Sequence, residues 1–144
     1  MSIDPKTKET EIEVNDSAEI ISVLRATDKA GKRAPWQPAF KVADYEIIYE
    51  DGTSYTEGIF YGANIHKYNS TYGDRMKSPF YRHEGYIGTY LAIPECGKTH
   101  NGEDYTLGNY SFKNPNPEKK IKSIKFKHNN ETDVAVLVFK VEIK

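Results

Sequence analysis

The chain has 144 residues and a mass of 16.4 kDa, about one domain at the usual roughly 100–150 residues, and a chain of this length can build a core without disulfides or a structural metal. Its 20 basic and 21 acidic side chains leave a net charge of -1, without the electrostatic footprint of a nucleic-acid or anionic-membrane binder. The single Cys96 cannot form an internal bridge, no apolar run approaches the roughly 20 residues of a membrane span, and the polar start MSIDPKTKETEIEV is unlike a secretory signal.

Residues 1–10 mix charges without an apolar period and are expected to form a flexible N-terminus, leaving 11–144 as one domain. Ile12 and Val14 alternate with Glu11 and Glu13. Ile20, Ile21, Val23 and Leu24 then suit a buried strand, a helix over Ser17–Thr27 being the alternative. Gly31, Pro35 and Pro38 break the chain into a loop that holds Trp36.

YEIIYEDGTSY (Tyr45 to Tyr55) is the clearest local signal: Tyr45, Ile47 and Tyr49 share a face, and Asp51-Gly52 supplies a tight hairpin turn before a return strand Tyr55–Tyr61. The stretch Asn64–Asn109 is weakly periodic and too long for a structureless connection, so short strands and functional loops are expected in it. Strands follow at Asn109–Lys113 and Lys120–His128, separated by the turn Asn114–Pro117. The last runs through Val134–Ile143. Eleven Tyr, six Phe and many short strands with turn signals between them predict an all-β, two-sheet antiparallel sandwich.

The four histidines, His66, His83, His100 and His128, lie at no zinc-motif spacing, and Cys96 with His100 makes a weak pair. Arg82-His83-Glu84 offers acid and base groups, but no convincing pair of carboxylates for glycoside hydrolysis stands out, and no catalytic residue is assigned. The sequons at Asn69 and Asn130 read as chance matches in turns. Aromatic side chains in polar loops have a sharper use. A sugar ring presents an apolar C–H face that can lie on an aromatic ring, while its hydroxyls need a few placed donors and acceptors. Trp36, Tyr68, Tyr72 and Tyr86 provide such rings, and Asn64, Arg82 and His83 the polar groups; ordinary packing of each tyrosine is the competing explanation.

Three blocks, YEIIYEDGTSYTEGIFYGANI (Tyr45 to Ile65), FYRHEGYIGTYLAIP (Phe80 to Pro94) and YSFKNPNPEKKIKSIKF (Tyr110 to Phe126), together resemble the accessory β-sandwich at the C-terminal end of many bacterial glycoside hydrolases. The resemblance covers roughly Glu11 to the C-terminus, with NPNPEKKIKSI its most specific part. It departs at Phe112 and Tyr68, where members of that family usually carry Trp. It implies a galactose-binding-like jelly roll, with Ile121 and Ile124 in the core. It further implies a non-catalytic carbohydrate-binding or accessory role beside a glycoside hydrolase catalytic domain. A structural calcium ion near the chain ends is also compatible with that family. The alternative function is an interaction domain that packs on a catalytic partner or on itself.

Overall fold

Strand side chains alternate between two faces, and here the apolar member of each alternation meets its counterpart on a second sheet. A computed structural model describes residues 1–31, 39–69 and 91–144, the side chains of 91–94 excepted. Among the described residues the chain forms strands β1 (Ser2–Ile3), β2 (Glu9–Asp16), β3 (Ile20–Thr27), β4 (Phe40–Tyr49), β5 (Ser54–Tyr61), β6 (Leu91–Lys98), β7 (Asp104–Lys113), β8 (Ile121–His128) and β9 (Val136–Ile143). They form a five-stranded sheet ordered β1-β9-β3-β7-β6 and a four-stranded sheet ordered β2-β8-β4-β5, every pairing antiparallel. First pairs with last in a nested series: β1 with β9, β2 with β8, β3 with β7, and β4 with β5.

The core lies between the sheets. Ile21 and Val23 from β3, Tyr45, Ile47 and Tyr49 from β4, Tyr110 and Phe112 from β7, and Ile121, Ile124 and Phe126 from β8 are all buried in it. Fully burying such a side chain is worth about 1.5–3 kcal/mol relative to leaving it exposed. Tyr45 and Phe126 meet edge to face at 4.9 Å between ring centroids.

The hairpin forms as the Asp51-Gly52 signal requires, with Gly52 at φ +83° and Ile47 opposite Tyr55. Segment 20–27 is a strand, not a helix, because Ile21 and Val23 face the core while Leu24 and Ala26 pack on the opposite face of the sheet. The strand expected at Asn109–Lys113 is longer, starting at Asp104.

Residues 1–10, which carry no apolar period, contribute β1 and the start of β2 to the two sheets. Asp4 Oδ1 accepts the backbone N–H groups of Lys6 and Thr7 at 2.8 and 2.9 Å, forming a tight turn between β1 and β2. That turn sends Ile3 into the core at 0% exposure and starts β2 at Glu9. A two-residue strand leaves no periodicity to read.

The Asn114–Pro117 turn is built around one buried amide. Asn114 Oδ1 accepts the Tyr49 hydroxyl at 2.5 Å and the Asn116 N–H at 3.0 Å, while Nδ2 donates to Ala18 O at 2.8 Å. Asn114 thus ties the β7–β8 turn to β4 and to the β2–β3 connection. Replacing it by Ala removes the acceptor of the Tyr49 hydroxyl proton and the donor to the Ala18 carbonyl, and Asn114→Ala is expected to cost about 2–4 kcal/mol in urea unfolding. A loss under about 0.5 kcal/mol would show that the amide is dispensable.

Candidate functional site

The connections divide between the two ends of the sandwich. One end carries residues 4–8, the chain leaving β3 after Thr27 and entering β4 at Phe40, the chain leaving β5 after Tyr61, and the β6–β7 and β8–β9 connections. It is the loop end. The other end holds the β2–β3, β4–β5 and β7–β8 turns.

Of the residues proposed to meet sugar, Asn64 and Tyr68 belong to the described part; Trp36, Tyr72, Arg82, His83 and Tyr86 lie outside the described residues. The described flanks of the first candidate loop, 32–38, meet the chain leaving β5 at the loop end, whereas the chain re-enters the sheet after residue 90 at Leu91, opposite Tyr110 and away from that end. A Cβ added to Gly31 would stand 2.3 Å from the Phe40 ring and 2.8 Å from the Tyr61 ring, so only glycine lets the backbone pass so close to both. Phe40 and Tyr61 stack at 5.6 Å, and the His66 ring lies 6.0 Å from Tyr61.

Residues 66–68 enter the five-stranded sheet at a splay. β3 and β7 pair as far as Arg25 opposite Gly108, beyond which the chain after β5 bridges the gap. Thr27 N donates to His66 O at 2.9 Å, Tyr68 N to Thr27 O at 3.0 Å, and Thr106 N to Tyr68 O at 2.5 Å. Tyr68 is half-buried, its side chain packed on Leu24, Ala26 and Leu107. Lys67 Nζ lies 5.6 Å from the Tyr68 ring centre. Asn64 is buried: its Oδ1 accepts the Phe60 N–H at 2.7 Å and its Nδ2 donates to Gly58 O at 3.1 Å. Its amide is thereby committed to holding the loop that follows β5.

The polar group that sequence reasoning missed sits just beneath this loop. Arg25 is 1% exposed and points into the core, with Nη2 donating to Asn64 O at 2.6 Å. Its guanidinium carbon lies 4.2 Å from the Tyr110 ring centre and 5.5 Å from that of Tyr45. Nε and Nη1 have no hydrogen-bond partner, so these π faces are the main compensation on that side of the cation. The Tyr110 hydroxyl donates to Glu57 Oε1 and the Tyr55 hydroxyl to Glu57 Oε2, the latter at 2.6 Å. Glu57 thereby brings negative charge toward Arg25 through two phenols. The sequence signal was present in parity: Ile21, Val23 and Arg25 fall on one face of β3, and Tyr55, Glu57 and Ile59 on one face of β5.

Burial lowers the Arg25 pKa, opposed by Tyr45, Tyr110 and Glu57. Burial pushes Tyr45 up to about 12. Tyr55 also rises to about 12, through desolvation and then its bond to Glu57, and Tyr110 rises for the same two reasons. Among the described residues, no group of three or more His, Cys, Asp or Glu side chains gathers to hold a metal ion. The arrangement binds and positions its own loop. No protein-family model, no curated protein and no solved structure matches the chain.

Two outcomes are expected. Arg25→Ala removes the cation, leaves Asn64 O without its donor and opens a void beside Tyr45 and Tyr110, a loss of about 2–4 kcal/mol in urea unfolding. In hydrogen exchange the same variant should release the Tyr68 and Thr106 amides far more than Ile124 in β8; equal release at all three would refute an anchoring role. The raised tyrosine values also fix a pH response. Folded values above the ordinary 10.0 mean that protonated phenols stabilise the fold below pH 10. That contribution is lost as pH rises toward about 12, because the unfolded chain deprotonates first. Far-UV dichroism and phenolate absorbance should change together across this window, and stability unchanged through it would contradict the assignment.

Proposed function

We propose that the chain is a non-catalytic carbohydrate-binding or accessory module of the galactose-binding-like jelly-roll type, working beside a glycoside hydrolase. The observation that carries this reading is the meeting, at the loop end, of the described flanks of the 32–38 segment with the chain that leaves β5 toward the aromatic-rich 70–90 segment. Gly31, Phe40, Tyr61 and His66 lie together, and residues 66–68 are hydrogen-bonded into the sheet. The nested pairing of first strand with last supports the jelly-roll form, which arises when a long antiparallel hairpin is rolled into two sheets.

In this reading Trp36, Tyr72 and Tyr86 offer platforms for the apolar face of a sugar, and Arg82 and His83 supply hydrogen bonds to its hydroxyls. Tyr68 and Asn64 contribute from below by fixing the loop base, because their side chains are already engaged by protein. The alternative, an interaction domain without sugar binding, draws on a different surface. Phe139 is 55% exposed and Ile20 37% exposed, both on strands of the five-stranded sheet.

Titration calorimetry against plant and host polysaccharides is expected to show binding with millimolar or tighter affinity per site. Trp36→Ala should weaken it by roughly tenfold or more, the loss of one stacked ring being worth about 1.5 kcal/mol. Absence of heat with every polysaccharide at millimolar sugar would sink the proposal.

A further inference from the structure

The exposed strand edges differ in whether they can pair with a copy of themselves. β2, at one edge of the four-stranded sheet, carries Glu9, Glu11, Glu13 and Asp16, so self-pairing would set acid against acid. β9 is different. Its neighbour β1 pairs with it only at Val136 and Leu137, with Met1 adding two bonds to Val138. Among the described residues nothing pairs with that edge from Phe139 onward.

The backbone phase of this open stretch is fixed by β3. Ile20 N donates to Lys144 O and Lys144 N to Ile20 O, both at 2.9 Å. Lys144, and by alternation Glu142 and Lys140, therefore turn their peptide groups toward β3, whereas Val141 and Ile143 turn theirs to the open edge. Phe139 occupies the irregularity between Val138, opposite Arg25, and Lys140, opposite Leu24. Val141 and Ile143 are packed on the core yet only half-buried.

We infer that the 144-residue chain forms a two-fold dimer by antiparallel pairing of β9 with β9 of a second copy, centred on Val141. In that register Val141 meets its own symmetry mate as a hydrogen-bonded pair, and Phe139 lies opposite the partner's Ile143. Lys140 falls opposite the partner's Glu142, and Glu142 opposite the partner's Lys140. The charge pattern selects this register. Centring on Lys140 or on Glu142 sets like charges face to face, centring on Phe139 runs the partner's residues 140–142 into Met1 and β1, and centring on Ile143 takes Lys140 out of register with the partner's Glu142; centring on Val141 brings only the partner's Lys144 level with Val138, beside Met1. Lys140 and Glu142 form a 2.7 Å ion pair within the chain, with 59% and 39% side-chain exposure, so a partner strand can exchange this exposed pair for two pairs across the interface. The inference gives the self-association reading a specific form and uses no part of the sugar-binding one.

Charge reversal tests it without any sugar present. Sedimentation and light scattering over a concentration series should show the unaltered chain reaching twice its 16.4 kDa mass. Lys140→Glu and Glu142→Lys each place like charges opposite one another at two symmetric positions. Each should weaken the dimer by roughly tenfold or more. An equimolar mixture of the two single variants should recover the doubled mass, because their charges are again complementary, and so should the double variant. Thermal melts followed by dichroism establish that each variant is folded. A monomer mass at every concentration, a dimer indifferent to both single reversals, or no recovery in the mixture would overturn the inference.

Discussion

A cation enclosed in the core governs the loop end of this molecule. Removing a guanidinium from water carries a penalty of several kcal/mol, which must be offset locally or the strand will not form. Here the offset comes from three directions: the Asn64 carbonyl accepts a hydrogen bond, the Tyr45 and Tyr110 rings present their negative faces, and Glu57 adds charge through the phenols. Each contribution also constrains geometry. The Asn64 carbonyl can be in reach only if the chain after β5 turns tightly, as the Asn64 side chain makes it do by holding Phe60 and Gly58. The turn in turn delivers residues 66–68 into the gap between β3 and β7. Side-chain chemistry at one core position thus reaches, through one loop, the base of the region proposed to bind ligand.

The two sheets solve the exposure of their outer faces by different means. On the four-stranded sheet, cross-strand neighbours Glu11, Lys125 and Glu46, and next to them Glu9, Lys127 and Asp44, alternate in sign from strand to strand. Lys127 pairs with Glu46 at 2.6 Å and Lys125 with Glu11 at 3.6 Å. Exposed pairs of this kind contribute little stability each, but they penalise slipped registers, in which like charges would meet. The five-stranded sheet instead puts Leu24, Ala26 and Leu107 on its outer face, with Tyr68 and Tyr105 packed against them. Its cover is apolar and aromatic, and it requires the chain after β5 to cross from one sheet to the other. That crossing is the one the Arg25–Asn64 bond holds.

The sequence made the regular parts legible and hid the irregular ones, for physical reasons. The Tyr45–Tyr61 hairpin was readable because its alternation, its β-branched and aromatic content and its Asp-Gly turn all agree with tertiary burial. The Asn114 turn was readable as a turn, but its buried amide network depends on Tyr49 and Ala18, distant in sequence. Arg25 was opaque because a charged residue at an inward position reads as a break in the apolar pattern; its compensation lies on β4, β5 and β7. Asn64 was drawn toward ligand binding because a polar residue in a Tyr- and Gly-rich loop satisfies equally the description of a sugar contact and of a turn clasp. Hydrogen-bond partners distinguish the two, and those partners are backbone atoms four and six residues back. The remaining aromatic candidates lie outside the described residues, so the site is legible here only to its base.

The strand direction of β9 links the two proposed surfaces. β9 leaves the loop end at Val136 and runs to the opposite end at Ile143, so an antiparallel copy centred on Val141 points its own loop end the other way. At roughly 3.4 Å per residue, the Val136 positions of the two copies lie roughly 30–35 Å apart along the shared edge. No single sugar ring spans that distance, and the two loop ends cannot merge into one pocket. A polymer can reach both. Linking two weak sites on one ligand converts the second contact into an intramolecular event and raises apparent affinity without any new contact. In the proposed assembly, dimerisation through β9 would therefore favour an extended polysaccharide over a soluble mono- or disaccharide, although each proposed loop-end site taken alone would not discriminate between them.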